Sequence, residues 1–127
     1  MDNHSPIGNK FESELFRHTP IILEVYDFFV LFHHALTKFP KSEKHSLGIE
    51  IEKSIIQILK RLITCSSSDL LIKQNKLPEI SSDLDILKIL VRLSSDIKAI
   101  DLKVYLTLQE KLQVIGRMLG GWIRSLK

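Results

Sequence analysis

The sequence predicts an all-α fold, an antiparallel up-and-down four-helix bundle. Apolar residues recur at alternating spacings of three and four along most of the chain, which is the period of one helix face. No segment shows the strict alternation of a half-buried strand. The chain has 127 residues, of which 44% are hydrophobic and 26% charged. This is a globular composition, and the length is enough to bury a core without disulfides or metal.

The first helix is predicted to run from Pro20 to the residue before Pro40. Proline suits the first turn of a helix, but it stops a helix that reaches it from the N-terminal side. Residues 1–19 lack a sustained period and are predicted to form an N-terminal arm, so that the bundle occupies residues 20–127. The predicted core stripe of the first helix is Ile22, Val25, Phe29, Phe32, Leu36 and Phe39.

The second helix is predicted to follow a polar connection at residues 41–45. It carries two neighbouring apolar stripes. The run Ser66-Ser67-Ser68-Asp69 weakens the helical signal. The segment as far as Pro78 is therefore predicted to be a longer loop, with a frayed extension of the second helix as the alternative. The core stripe is Leu47, Ile51, Ile55, Ile58, Leu62 and Cys65, and the adjacent stripe is Ile49, Ile56, Leu59 and Ile63.

The third helix is predicted to begin at Ser82 or Asp83, although residues 77–80 could supply an earlier turn. The fourth is predicted to begin at Asp101. Short or moderate connections make successive helices antiparallel neighbours. The third helix has the predicted core stripe Ile86, Leu90, Leu93, Ile97 and Ile100, with Leu84, Leu87 and Val91 beside it. The stripe of the fourth is Tyr105, Leu108, Leu112, Ile115, Leu119, Trp122 and Leu126.

The apolar faces of the second and third helices are wider than one bundle core requires. An exposed apolar patch larger than a few hundred Å² usually marks an interface. The sequence therefore favours a homo-oligomer. The alternative is that the arm, the loop or compact packing within one chain covers these residues.

No residue pattern indicates catalysis, a cofactor or a metal site. His33 and His34 point about 100° apart on a helix and cannot readily share one ion. The Ser66–Ser68 run has no accompanying base, and the single cysteine, Cys65, is predicted to be a small buried hydrophobe. The sequence also lacks a signal-peptide pattern and an apolar run long enough to span a membrane. We therefore expect a non-enzymatic cytoplasmic protein.

Basic residues recur at helical spacing, and the formal net charge is +3. Rows of cations at such spacing can track phosphates. The alternative is a solvated face that is balanced by nearby acids. The cations in question are Lys60 and Arg61, Lys88 and Arg92, and Arg117 and Arg124.

Three glycines interrupt the periodic fourth helix, although each costs about 1 kcal/mol relative to alanine there. Gly116 and Gly120 share a face, and Gly121 and Trp122 follow directly. The glycines leave space for a close approach, and Trp122 supplies a large apolar anchor. We predict either a tight helix crossing within the bundle or a contact between subunits.

Several short motifs resemble a known family of four-helix bundles. They are Phe39-Pro40-Lys41, the Leu47-Gly48 pair, the leucine-rich basic stretch from Leu84 to Arg92, and the ending Ile115-Gly116-Arg117-Met118-Leu119-Gly120-Gly121-Trp122-Ile123. The family contains proteins encoded by intervening sequences of large-subunit ribosomal RNA. It also contains the accessory variability determinant (Avd) of diversity-generating retroelements. The similarity covers Pro20 to the C-terminus.

The resemblance implies a barrel-like homopentamer with a positively charged surface and no catalytic motif. In a retroelement such a protein binds the reverse transcriptase and the template RNA, possibly with DNA, and supports mutagenic cDNA synthesis. Arg92 and Arg117 match recurrent basic positions of the family, and with the other four cations they are the predicted nucleic-acid or polymerase contacts. The alternative is an adaptor of the intervening-sequence type, which binds other proteins.

Overall fold

The structure, a computed structural model, describes residues 19–127. This part of the chain contains four long helices and no strand, so the prediction of an all-α four-helix bundle is confirmed. Residues 1–18 of the predicted arm lie outside the described residues, and the boundary between arm and bundle stays a prediction. The long helices are α1 (Thr19–Leu36), α2 (Ile49–Ser66), α3 (Leu70–Asp96) and α4 (Leu102–Ser125).

The four helices pack as a ring in which each contacts the helices before and after it in sequence, and α4 closes onto α1. Side-chain hydrogen bonds fix the register of α3 and α4. The Gln109 amide donates to the Lys88 carbonyl oxygen at 3.2 Å, and the Gln74 amide donates to the Leu126 carbonyl oxygen at 2.7 Å. Later residues of α4 thus pair with earlier residues of α3, so the two helices are antiparallel.

The core lies between the four helices and follows the predicted stripes closely in α2 and α4. In α1 the predicted Val25, Phe32 and Leu36 are buried. The other two predicted positions are shifted by one residue, because Ile21 and Phe28 are buried whereas Ile22 and Phe29 are only partly covered. The largest fully buried side chains are Phe28, Phe32, Ile51, Ile55, Ile58, Leu62, Leu77, Ile80, Leu87, Leu108, Leu112 and Ile115.

The predicted polar connection at residues 41–45 is wrong, because this segment is helical. A short α-helix, Lys41–Glu43, leads into a π-helical turn, Lys44–Gly48, which continues directly into α2. Gly48 is buried, and a Cβ atom there would overlap the side chain of Leu36. The absence of a side chain at this position lets the wide turn pack against the end of α1.

The predicted loop from Ser66 to Pro78 is also wrong, because α3 begins at Leu70 and not at Ser82 or Asp83. The Asp69 carboxylate caps the helix by accepting a hydrogen bond from the Ile72 amide at 3.0 Å. Pro78 lies inside α3, where it costs about 3 kcal/mol. Burial of Leu77 and Ile80 on either side offsets that cost, since each fully buried side chain contributes about 1.5–3 kcal/mol.

The earlier start of α3 also changes which of its faces is buried. The core side chains are Leu77, Ile80, Leu84, Leu87 and Val91, together with Ser94. The predicted core stripe is wrong for three of its five members, because Ile86, Leu93 and Ile97 are 55%, 43% and 45% exposed. The buried residues of α3 recur at spacings of three and four from Leu77 onward. The face that is buried is therefore the one next to the predicted stripe.

The helix α3 ends in a Schellman motif that places Lys98 in the left-handed region, with φ at 62°. The Ala99 amide donates to the Ser94 carbonyl oxygen at 2.8 Å, and the Lys98 amide donates to that of Ser95 at 2.9 Å. Glycine is the usual residue at this position because it has no Cβ atom to strain. Lys98 is therefore a point of local backbone strain.

Replacing Lys98 with glycine is expected to stabilise the fold by about 0.5–1 kcal/mol, because relief of strain exceeds the added freedom of the unfolded chain. Urea unfolding followed by circular dichroism would measure the change. Lys53 is a matched control, since it is an exposed lysine in the interior of α2, where glycine should destabilise by about 1 kcal/mol. A loss of stability in both variants would contradict the prediction.

None of the described helices combines the length and the apolar character that a membrane-crossing segment needs.

Candidate nucleic-acid interface

A groove between α3 and α4 brings together three of the six predicted cations. Lys88 projects from α3, and Arg117 and Arg124 lie seven residues apart on α4. The groove has a volume of about 480 Å³. Its remaining lining residues are Ser81, Leu84, Asp85, Gln113, Gly116 and Gly120.

The three cations of this groove have no acidic partner within 4.0 Å among residues 19–127. Lys88 is half-buried, whereas Arg117 and Arg124 are exposed. Asp85 is the one carboxylate among the lining residues of the described groove. The groove thus carries an excess of positive charge that is available to an anionic partner.

Two of the helical glycines form part of the groove wall. A Cβ atom at Gly116 would lie 3.4 Å from the Lys88 ammonium and 3.7 Å from Leu84 Cδ2. A Cβ atom at Gly120 would lie 3.4 Å from Arg124 Nη1. Within the described part of the chain, the atoms nearest to these two glycines are therefore side-chain atoms and not the backbone of another helix.

The predicted role of the glycines and Trp122 in oligomer contacts or tight packing stays a prediction. Gly121 lies outside the groove lining, and a Cβ atom there would be 3.9 Å from Arg124 Nη2. Trp122 is partly buried and packs against the core.

Two further predicted cations, Lys60 and Arg61, lie on α2. They border a cavity of about 290 Å³ between α2 and α3, on the side of α3 away from the α3–α4 groove. The Arg61 guanidinium forms an ion pair with the Asp83 carboxylate. In the amide orientation that satisfies both groups, the Gln57 carbonyl oxygen accepts hydrogen bonds from Arg61 Nε and Nη2 at 3.0 and 2.9 Å. Arg61 therefore links α2 to α3, whereas Lys60 is exposed at the cavity edge.

The sixth predicted cation, Arg92, is exposed on α3 and lines neither the α3–α4 groove nor the α2–α3 cavity. Its Nε atom lies 3.9 Å from the Asp96 carboxylate, one helical turn away. An exposed pair at this spacing contributes only a few tenths of a kcal/mol, so Arg92 remains available to a partner. The six predicted cations thus fall into three places and do not form one surface.

Sequence reasoning missed the residues that complete these surfaces. The sequence indicates Asp83 only as a possible helix start, yet its carboxylate neutralises Arg61, which lies 22 positions away in the chain. Lys76 lines the α2–α3 cavity and lies in the segment that was predicted to be a loop. The helical spacing of the basic residues could not reveal these contacts, because they depend on the packing of different helices.

The thiol of Cys65 borders the α2–α3 cavity but is buried. Burial raises the pKa of this thiol, and the positive charges of Lys73 and Lys76 partly oppose the increase. A raised pKa keeps the thiol protonated at neutral pH, which makes it a poor nucleophile. The environment of Cys65 agrees with its predicted role as a small buried hydrophobe.

The histidines do not assemble a metal site in the described part of the chain. His33 Nδ1 lies 2.9 Å from a Glu52 carboxylate oxygen and links α1 to α2. No group of three histidine, cysteine or acidic side chains within residues 19–127 is arranged to hold an ion.

Comparison with known proteins identifies one family. The family model described as bAvd-like matches residues 21–126, which is all but the two ends of the described bundle. Neither the curated proteins nor the solved structures contain a match to this chain. Since the matched segment covers most of the sequence and coincides with the four helices, the chain belongs to the bAvd-like family.

Proposed function

We propose that this protein is a non-enzymatic accessory subunit of a diversity-generating retroelement. It acts in the cytoplasm as an oligomeric basic scaffold that holds the reverse transcriptase against its template RNA and the growing cDNA. The observation that carries this proposal is the α3–α4 groove, where Lys88, Arg117 and Arg124 converge without an acidic partner among residues 19–127. Membership of the bAvd-like family supports the retroelement context.

The proposed scaffold is a homopentamer, as the family resemblance implies. Apolar side chains on the outer face of α3 support self-association, because they are large, contiguous in helical spacing and unused by the core. They are Ile86, Ile89 and Leu93, with Ile97 directly after the end of the helix.

The proposal is tested by co-expressing the chain with the reverse transcriptase and template RNA of the same element, followed by affinity purification. All three components are expected in one complex. The protein–protein adaptor of the intervening-sequence type predicts instead that proteins co-purify without RNA. Failure of the polymerase to join the complex would contradict the retroelement role.

Replacing Arg92 and Arg117 together with glutamate is expected to abolish the complex. The substitution changes the net charge by −4 and places repulsive carboxylates at two separate positions, Arg117 in the α3–α4 groove and Arg92 outside it, both of which are proposed to face phosphates or the polymerase. Both side chains are exposed, so the helical content measured by circular dichroism should be unchanged. A variant that still co-purifies with polymerase and RNA at wild-type yield would remove these two residues from the proposed contact surface.

A further inference from the structure

We infer that the α2–α3 cavity binds a small amphipathic monoanion, a carboxylate that carries a short apolar chain. None of the residues that line this cavity also lines the α3–α4 groove. The inference therefore goes beyond the proposed function and does not depend on it. It gives Lys60 a small-molecule partner in place of the nucleic-acid or polymerase contact that helical spacing predicts.

The first argument is the size and the fixed shape of the cavity. Its volume of about 290 Å³ is close to the lower end of the range of about 300–1,000 Å³ that is typical of small-molecule sites. The ion pair between Arg61 and Asp83 joins its two walls. Ser68 lines the cavity where α2 passes into α3, and its hydroxyl donates to the Thr64 carbonyl oxygen at 2.9 Å. A site whose walls are already joined binds a ligand at a lower entropic cost.

The second argument is the apolar floor of the cavity, which consists of Cys65, Ile72 and Ile80. Cys65 and Ile80 are buried, whereas Ile72 is 44% exposed although it is a large apolar side chain. Burial raises the pKa of the Cys65 thiol, so the floor is uncharged at neutral pH. An apolar chain that covers Ile72 would remove from water a surface that the bundle itself leaves exposed.

The third argument is the charge at the rim of the cavity. Lys60 has no acidic partner within 4.0 Å among residues 19–127. The other two lining cations each have a carboxylate partner. Asp83 binds Arg61, and Glu79 lies 3.7 Å from Lys76. These groups together leave one net positive charge, which a monocarboxylate balances better than a dianion or an uncharged molecule does.

The two arguments from charge and apolar surface define how the ligand lies. Its carboxylate accepts hydrogen bonds from the ammonium groups of Lys60 on α2 and Lys76 on α3, which both line the cavity. Its apolar chain lies against Ile72 and Ile80. Hydrogen bonds between charged groups are about twice as strong as those between neutral groups, so the ligand would tie α2 to α3.

The test is isothermal titration calorimetry of the purified full chain with octanoate, in the absence of polymerase and RNA. One saturable site per chain is expected. From hexanoate to octanoate the affinity should rise about fourfold with each added methylene group, because each group is buried on the apolar floor. Binding that does not saturate, or an affinity that does not depend on chain length, would overturn the inference.

Octylammonium has the same apolar chain and the opposite charge. It should bind at least about tenfold more weakly than octanoate, because it meets the positive rim. Equal affinity for the two compounds would show that only apolar surface is recognised and would overturn the charge match. Inorganic phosphate that binds as tightly as octanoate would overturn the role of the apolar floor.

The variant Lys60→Gln/Lys76→Gln removes both proposed carboxylate ligands. The affinity for octanoate should fall by about tenfold or more, since hydrogen bonds to charged groups are lost. The matched control is Lys53→Gln/Lys103→Gln, which removes the same charge from two lysines outside the cavity lining. All four side chains are exposed, so both variants should fold. Equal losses in the two variants would reflect net charge and would overturn the assignment to this cavity.

A second variant, Ile72→Glu, changes the floor of the cavity and favours the helix. Ile72 is the third residue after the Asp69 cap, a position where glutamate stabilises the start of a helix, so the variant should remain folded. The new carboxylate repels the ligand, and the affinity should fall by about tenfold or more. Leu71→Glu is the matched control, because it adds the same charge to the same turn outside the cavity lining. Wild-type affinity in a folded Ile72→Glu variant, or an equal loss in Leu71→Glu, would overturn the inference.

Discussion

Replacing Phe32 with alanine is expected to lower the free energy of unfolding by about 3–5 kcal/mol. Phe32 is completely buried, and its ring contacts Phe39 edge-on with a centroid distance of 5.7 Å. The cost is large because the substitution removes apolar contacts and leaves a cavity that the rigid helices can fill only partly. A domain of this size is stable by only about 5–15 kcal/mol, so the variant should unfold at a much lower urea concentration.

The measurement is urea unfolding followed by circular dichroism at one fixed protein concentration, because assembly makes stability depend on concentration. Val30→Ala is the matched control. Val30 lies on the same helix but is exposed, so its truncation should change stability by about 0.5 kcal/mol or less. A cost below 1 kcal/mol for Phe32→Ala would contradict the placement of this ring at the centre of the core.

Replacing Ile89 and Leu93 together with glutamate is expected to convert the proposed oligomer into monomers of 14.6 kDa. Ile89 is 68% exposed and Leu93 43% exposed, so neither supports the core of one chain. Each interface to which this stripe contributes would gain two carboxylates, and their burial without partners is strongly unfavourable. Multi-angle light scattering would measure the mass.

The control for this variant uses polar positions on the same outer face of α3. Asn75 and Ser82 are both exposed, and their replacement with glutamate adds the same charge without touching the apolar stripe. The control should keep the wild-type mass. An oligomeric Ile89→Glu/Leu93→Glu variant would place the interface elsewhere, and a monomeric wild type would reject the homo-oligomer itself.

Helical spacing predicts part of the grouping of basic residues at the candidate site. The separation of seven residues predicts that Arg117 and Arg124 share a helix face, and both line the α3–α4 groove. Lys60 and Arg61 also share one cavity edge. The addition of Lys88 to the first group, and the neutralisation of Arg61 by Asp83, depend on contacts between helices that have no local signature.

The periodicity of the sequence determined the fold class, the number of helices and most of the buried face in α2 and α4. Those features follow from local spacing, since a stripe that repeats every three or four residues must lie on one side of a helix. Asp101 likewise marked the start of α4, and its carboxylate accepts a hydrogen bond from the Val104 amide at 2.8 Å.

Only the tertiary structure decided where α3 begins, which of its two apolar stripes faces the core, and which basic residues stand together. The local signals around Pro78 favour a break, yet burial of Leu77 and Ile80 against the other helices offsets the cost of a proline inside the helix. Ile86 and Leu87 are equally apolar, and the choice between their faces depends on the positions of α2 and α4. The physical reason is the same in each case: packing energy arises between helices that are distant in sequence, and it outweighs the small local preferences on which sequence reasoning depends.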